Sequence, residues 1–162
     1  MMISTKGRYA MRLMVDVAVN AQESPVSLKD VAQREHMPLK YLEQLVRSLT
    51  RNELLRSVRG QHGGYLLARE ASSISAGDIL RAAEGTTAPV ACLDGSIVDC
   101  PRMETCTTLS FWQGLDKAIE SYVDGVTLAD LARPYLIEGS AVHPDSPDSS
   151  TCIFDAFRHN ES

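Results

Sequence analysis

The chain has 162 residues, of which 44% are hydrophobic and 23% charged, with 10 glycines and 7 prolines; these proportions exclude collagen-like, disordered and disulfide-rich classes and fit one domain or a small domain with an arm. No apolar run approaches the ~20 residues that span a bilayer, and MMISTKGRYA lacks the apolar core and cleavage site of a signal peptide, so the expected location is the cytoplasm, with no membrane partner. The net charge of −5 is unevenly divided, since residues 1–60 hold 10 Lys and Arg against 6 Asp and Glu and the remainder holds 6 against 15, a distribution compatible with a nucleic-acid reader.

From Lys6 to Ala21 the apolar residues Ala10, Leu13, Met14, Val17, Ala18 and Ala21 recur at helical spacing, with Ser4 or Thr5 as cap. Ser27 and Asp30 form a variant capping box that opens a short helix through about Glu35. Met37-Pro38 breaks it. Pro38 suits the first turn of a third helix, whose buried stripe is Leu42, Leu45, Val46 and Leu49. The opposite face presents Lys40, Glu43, Gln44, Arg47 and Arg51. Two short helices, a tight turn and a polar-faced second helix make a helix-turn-helix, although any three-helix bundle shares this pattern.

Leu54 to Val58 alternates as a strand, Gly60 to Gly64 is a flexible tip, and Tyr65-Leu66-Leu67 returns as the partner strand. Such a hairpin after a helix-turn-helix is a wing, and Arg59 beside its glycines is placed to enter a minor groove. Ser75 and Asp78 cap another short helix that Gly85 ends.

Residues 86–107 show no period, and loops this long inside compact domains are usually functional or disordered. Three of the four cysteines lie here: Cys92, Cys100 and Cys106, with gaps of seven and five residues. Clustered cysteines in a cytoplasmic chain argue against structural disulfides. Zinc favours closely spaced pairs and a fourth ligand, neither of which the loop offers, so the spacing ranks an iron-sulfur cluster above zinc. Cys152, in the tail, is read as a bystander. A longer helix from about Thr108 to Asp124 carries Trp112, Leu115, Ile119 and Tyr122 at alternating gaps of three and four, a seam expected to pair with a second copy. Thr127 and Asp130 cap a last short helix through Ala132. Beyond Pro134 the chain is rich in Ser, Pro and Asp, and mobility is expected.

The segments Lys6-Gly7-Arg8-Tyr9-Ala10, Tyr41-Leu42-Glu43-Gln44-Leu45 and Ser57-Val58-Arg59-Gly60 with Gly63-Gly64-Tyr65-Leu66-Leu67, together with the three cysteines and Trp112, resemble the IscR-like bacterial winged-helix regulators, the family that includes IscR and NsrR. The resemblance covers residues 1 to about 133. It implies a homodimeric transcription factor that binds palindromic or near-palindromic DNA operators under the control of an iron-sulfur cluster, [2Fe-2S] or [4Fe-4S]. DNA contact is then expected from Lys40, Tyr41, Glu43, Gln44 and Arg47 on the third helix and from Arg59, Gly60, His62 and Gly63 in the wing. Glu43 is expected to act as a specificity device, accepting a hydrogen bond such as that of a cytosine amine. Two positions depart from the family pattern: Leu109 stands where IscR-like proteins place a histidine ligand, and Arg8 where the NsrR type uses an aspartate. The fourth ligand is left open among Glu104, His36, a small thiol and water.

The expected architecture is therefore mainly α: a winged helix-turn-helix domain with a two-stranded β wing (residues 1–85), a cluster-binding loop (86–107), a dimerisation helix with a short following helix (108–133) and a tail (134–162). A rival reading from another class is a protein-interaction adaptor with structural zinc at the cysteines. Nothing suggests an enzyme, since the chain has no nucleophile elbow, phosphate loop or His-Glu-x-x-His.

Overall fold

A computed structural model describes residues 3–21, 24–94, 100 and 102–137. The first helix, α1 (Thr5–Asn20), starts where the Ser4 hydroxyl accepts the Lys6 amide and buries Ala10, Leu13, Met14 and Val17, the stripe its periodicity predicts. Helix α2 (Leu28–Arg34) is capped by Ser27, and α3 (Leu39–Arg51) follows after His36, which holds φ at 50° in the turn. Pro38 stands at the N-cap of α3, one residue before the expected first turn, where its missing N–H costs nothing.

The wing consists of β1 (Leu55–Val58) and β2 (Gly64–Leu67), antiparallel with Leu55 opposite Leu67 and Val58 opposite Gly64. Helix α4 (Ala76–Glu84) begins with a complete capping box between Ser75 and Asp78 and ends at Gly85, whose φ of 92° suits glycine. Helix α5 (Leu109–Gly125) is followed by α6 (Leu128–Ile137), which Thr127 and Asp130 cap reciprocally.

Leu42, Leu45 and Leu49 of α3, Leu54 and Leu55 at the wing's root, Ile74, Ile79 and Leu128 join the α1 stripe in one core. The chain therefore returns to its first helix at the end: α6 packs on α1, and Leu128 is wholly buried. Two polar groups fix the helices' mutual set. Asp16, buried on α1, accepts two hydrogen bonds from the Arg34 guanidinium, at 2.7 and 2.8 Å, which satisfies a charge that burial alone would penalise. At the start of α1, one Glu84 oxygen accepts from the Ser4 amide, the Ser4 hydroxyl and the Gly7 amide. Burial pulls this carboxyl's pKa up, but these three bonds outweigh it and the net shift is downward.

One expectation for the last helix is corrected. It does not stop near Ala132 but runs through Pro134 to Ile137. Pro134 is exposed, so the Asp130 carbonyl that loses its intrahelical partner can turn to water, and the buried Leu128 and Ala132 anchor the preceding turn. The mobility expected of the tail and the bystander role of Cys152 fall on residues outside the described set.

Candidate nucleic-acid interface and cysteine loop

The burial of Leu42, Leu45, Val46 and Leu49 fixes the rotation of α3, and the opposite face follows from it: Lys40, Glu43, Gln44, Arg47 and Arg51 are all exposed. Tyr41 lies between the two faces. Its ring is half-buried and meets Tyr9 edge-on at 5.5 Å, so it spaces α3 from α1 and only its outer edge remains near the polar face.

In the wing, Arg59, Gly60 and His62 are exposed and Gly63 is half-buried. Gly60 takes φ 122°, which lets the Gly63 amide donate to the Gly60 carbonyl at 3.0 Å and closes the tip beside Arg59. The wing is also tied down at its far strand. Val26, just before α2, exchanges two backbone hydrogen bonds with Tyr65, at 2.8 and 3.0 Å, so the hairpin is docked to the helix-turn-helix as a third short ladder. No motif announces this bridge in the sequence; an apolar residue after Pro25 is its one trace. Arg56, which the sequence reading passed over, points outward from β1, as strand alternation around the buried Leu55 requires.

The cations among the described residues fall into three groups: five arginines paired with carboxylates, five on α3 and the wing without an ion pair, and Lys6, Arg8, Lys29, Arg102 and Lys117, exposed elsewhere and likewise without one. Arg12, Arg34, Arg69, Arg81 and Arg133 each meet a carboxylate at 2.5–3.0 Å. Among the described residues Lys40, Arg47, Arg51, Arg56 and Arg59 meet none, although all are exposed on α3 or the wing. Cations left unpaired on two adjacent elements are available to phosphates.

Cys92 sits in the 3₁₀ turn Ala91–Leu93, and Cys106 ends the 3₁₀ turn Met103–Thr105, two residues before the N-cap of α5; with Cys100 they are free, half-buried thiols. The Cys106 sulfur lies 3.6 Å from the Thr108 hydroxyl. That hydroxyl, followed by the Thr108 and Leu109 amides at the head of α5, lowers its pKa toward the thiolate. The expected convergence is not seen: among the described residues no group of three or more His, Cys, Asp or Glu side chains is arranged to hold a metal. The donor chemistry itself fits, with three unbridged thiols on one loop. Leu109 is the first residue of α5 and offers no donor side chain.

Along α5 the seam residues are unevenly placed. Trp112 and Ile119 are half-buried, whereas Leu115 is 38% and Tyr122 65% exposed. Phe111, missed by the heptad reading, is 64% exposed and stacks edge-on against Trp112 at 5.0 Å. Ile119, Tyr122 and Val123 form one side of an apolar groove closed by Ile3, Met11 and Leu80. No helix among the described residues is long and apolar enough to cross a membrane.

Comparison with known proteins places this geometry among relatives. The sequence profile of the Rrf2 family, described as iron-dependent transcriptional regulators, matches residues 3–134. Protein rrf2 of Nitratidesulfovibrio vulgaris is 43% identical over 133 residues, 82% of this chain and 88% of that protein. The HTH-type transcriptional regulator IscR of Yersinia enterocolitica is 39% identical over 133 residues, covering 82% and 80%. Among solved structures, CymR, the global cysteine regulator of B. subtilis, superposes with a TM-score of 0.67 at 39% identity over 83% of this chain and 98% of its own. T. potens IscR gives 0.67 at 38% identity over 86% and 92%.

Proposed function

This chain belongs to the Rrf2 family of winged-helix, DNA-binding transcription regulators, and on that premise we propose that it binds a palindromic or near-palindromic operator as a homodimer whose affinity is set by an iron-sulfur cluster held at Cys92, Cys100 and Cys106. A family of transcription regulators sets aside both an enzyme and the adaptor reading.

The observation that carries the DNA-facing part is the set of unpaired cations on α3 and the wing. In this reading α3 enters the major groove with Lys40, Glu43, Gln44 and Arg47 toward the base edges and phosphates, while Arg59, with Gly60, His62 and Gly63 around it, reaches the minor groove. Tyr41, edge-on against Tyr9, packs α3 against α1. Arg59→Ala is expected to weaken operator binding by about tenfold and to lower the slope of log affinity against log salt by about one unit. A fluorescence-anisotropy titration across a salt series measures both, and an unchanged isotherm removes Arg59 from the interface.

Glu43 is an acid on a face that meets a polyanion, and it costs affinity unless a base amine donates to it. Glu43→Ala is therefore expected to broaden the set of bound sequences without loss of affinity. Selection from a randomised duplex pool tests this, and recovery of one identical motif by both proteins contradicts it.

The relatives do not share one signal, since CymR is described as a cysteine regulator. The cluster assignment accordingly rests on this chain's own three free thiols. Such a group supplies a centre sensitive to iron supply, oxygen or nitric oxide. The chain contributes three thiolates and, with Leu109 at the family's histidine position, leaves the fourth position to a weaker or exchangeable donor. An anaerobically prepared, iron-replete sample should absorb in the visible and contain iron and sulfide; a colourless, zinc-containing protein refutes the assignment.

A further inference from the structure

Helix α5 is joined to the winged domain at one end. Of its residues only Val123 is buried, and among the described residues its polar side-chain bonds to other elements all come from Asp124. That carboxylate receives Arg81 of α4 at 2.5 and 3.5 Å and the Ser75 hydroxyl at 3.4 Å. It also lies directly over Gly77, where any Cβ would overlap its Oδ1. One residue beyond Arg81, the Ala82 carbonyl accepts the hydroxyl of Ser48 at 2.5 Å, and Ser48 belongs to α3, next to Arg47 of the exposed cationic face. The two contacts are therefore joined through the α4 backbone between Arg81 and Ala82, which links the C-terminal turn of α5 to α3.

We propose that the Asp124–Arg81 pair and the Ser48–Ala82 hydrogen bond form a joint through which the set of α5 fixes the orientation of α3, making Arg81, Asp124 and Ser48 positioning residues for operator binding although none belongs to the DNA-facing set. An ion pair this exposed contributes little to stability, because solvent screens it. A two-pronged guanidinium–carboxylate contact nevertheless fixes direction. With α5 about 25 Å long by its helical rise and Cys106 just ahead of its first turn, a change in the cysteine loop acts at the far end of a lever whose fulcrum is Asp124. That the loop's state drives the lever rests on the function proposed above; the joint itself does not.

The test uses the full chain, reduced and metal-free, titrated against a fluorescein-labelled duplex that the wild-type protein selects from a randomised pool. Asp124→Asn and Gly77→Ala should each lower affinity by about two- to thirty-fold while leaving the melting temperature nearly unchanged. Gly77→Ala is informative because alanine is the better helix former, so its loss cannot be ascribed to a weaker α4. The reciprocal exchange Arg81→Asp with Asp124→Arg should recover most of the affinity, and Ser48→Ala should add little to Asp124→Asn, since both interrupt one path. Wild-type affinity in Asp124→Asn and Gly77→Ala, losses that multiply with Ser48→Ala, or losses that track a matching fall in melting temperature would each overturn the joint. Repeating the wild-type titration after loading with iron and sulfide separates the two ideas: equal affinities in both states reject the cluster reading and leave the joint to be judged on the metal-free data.

Discussion

Ile119→Asp is expected to yield monomers or aggregate in place of the dimer proposed for the wild-type chain. Ile119 is half-buried in the groove between α5, α1 and α4, and Phe111, Leu115 and Tyr122 extend the same apolar face outward, exposed among the described residues. A second α5 laid along this face covers them, and the seam spacing of Trp112, Leu115, Ile119 and Tyr122 suits such a pairing. An aspartate in that contact buries an unpaired charge, at a cost of roughly 3 kcal/mol or more per site. Lys117, on the exposed side of the same helix, provides the control, since Lys117→Ala should leave the dimer intact. Multi-angle light scattering reads the mass directly. Soluble Ile119→Asp dimers would move the seam elsewhere. Loss of the dimer should also weaken binding to a palindromic duplex far more than to a half-site, because two linked recognition helices bind with a high effective concentration.

How much of this was legible in the sequence depended on whether a signal was local. Capping is local, and the pairs at Ser27 and Asp30, Ser75 and Asp78, and Thr127 and Asp130 all open helices where their spacing places them. The exposed face of α3 follows from its apolar stripe, because burying Leu42, Leu45, Val46 and Leu49 leaves no other rotation. Contacts between distant segments left no such mark. Neither the Asp16–Arg34 pair, nor Glu84 capping α1, nor Val26 pairing with Tyr65 could be read from spacing, since each joins residues whose partners are set by the packed fold. Pro134 misled for a related reason. A proline is a local helix-breaking signal, and the packing of α6 on α1 overrides it. In the cysteine loop the residue types were plain but their geometry was not, because a loop without a repeating pattern carries no periodic signal.

Replacing Cys92, Cys100 or Cys106 by serine is expected to abolish the visible chromophore and to change operator affinity, whereas Cys152→Ser should leave both intact. A serine hydroxyl stays protonated near neutral pH and binds iron far less firmly than thiolate, so one loss leaves two strong donors from the loop. The Leu109 side chain has no donor atom, and among the described residues no group of three or more His, Cys, Asp or Glu side chains is arranged to hold a metal. Cys106→Ser should show the largest effect on DNA binding, because that residue lies three positions before the first residue of α5 and its thiol meets the hydroxyl of Thr108, the helix N-cap. In the proposed function a change at this point bears on α5, and through it on the spacing of the two recognition helices in the proposed dimer. Visible absorbance, iron and sulfide analysis and operator titration of the four variants, each prepared anaerobically, give the answer. A full chromophore in the Cys92→Ser protein, or a wild-type operator isotherm in all three loop variants, would refute control by a cluster at these cysteines.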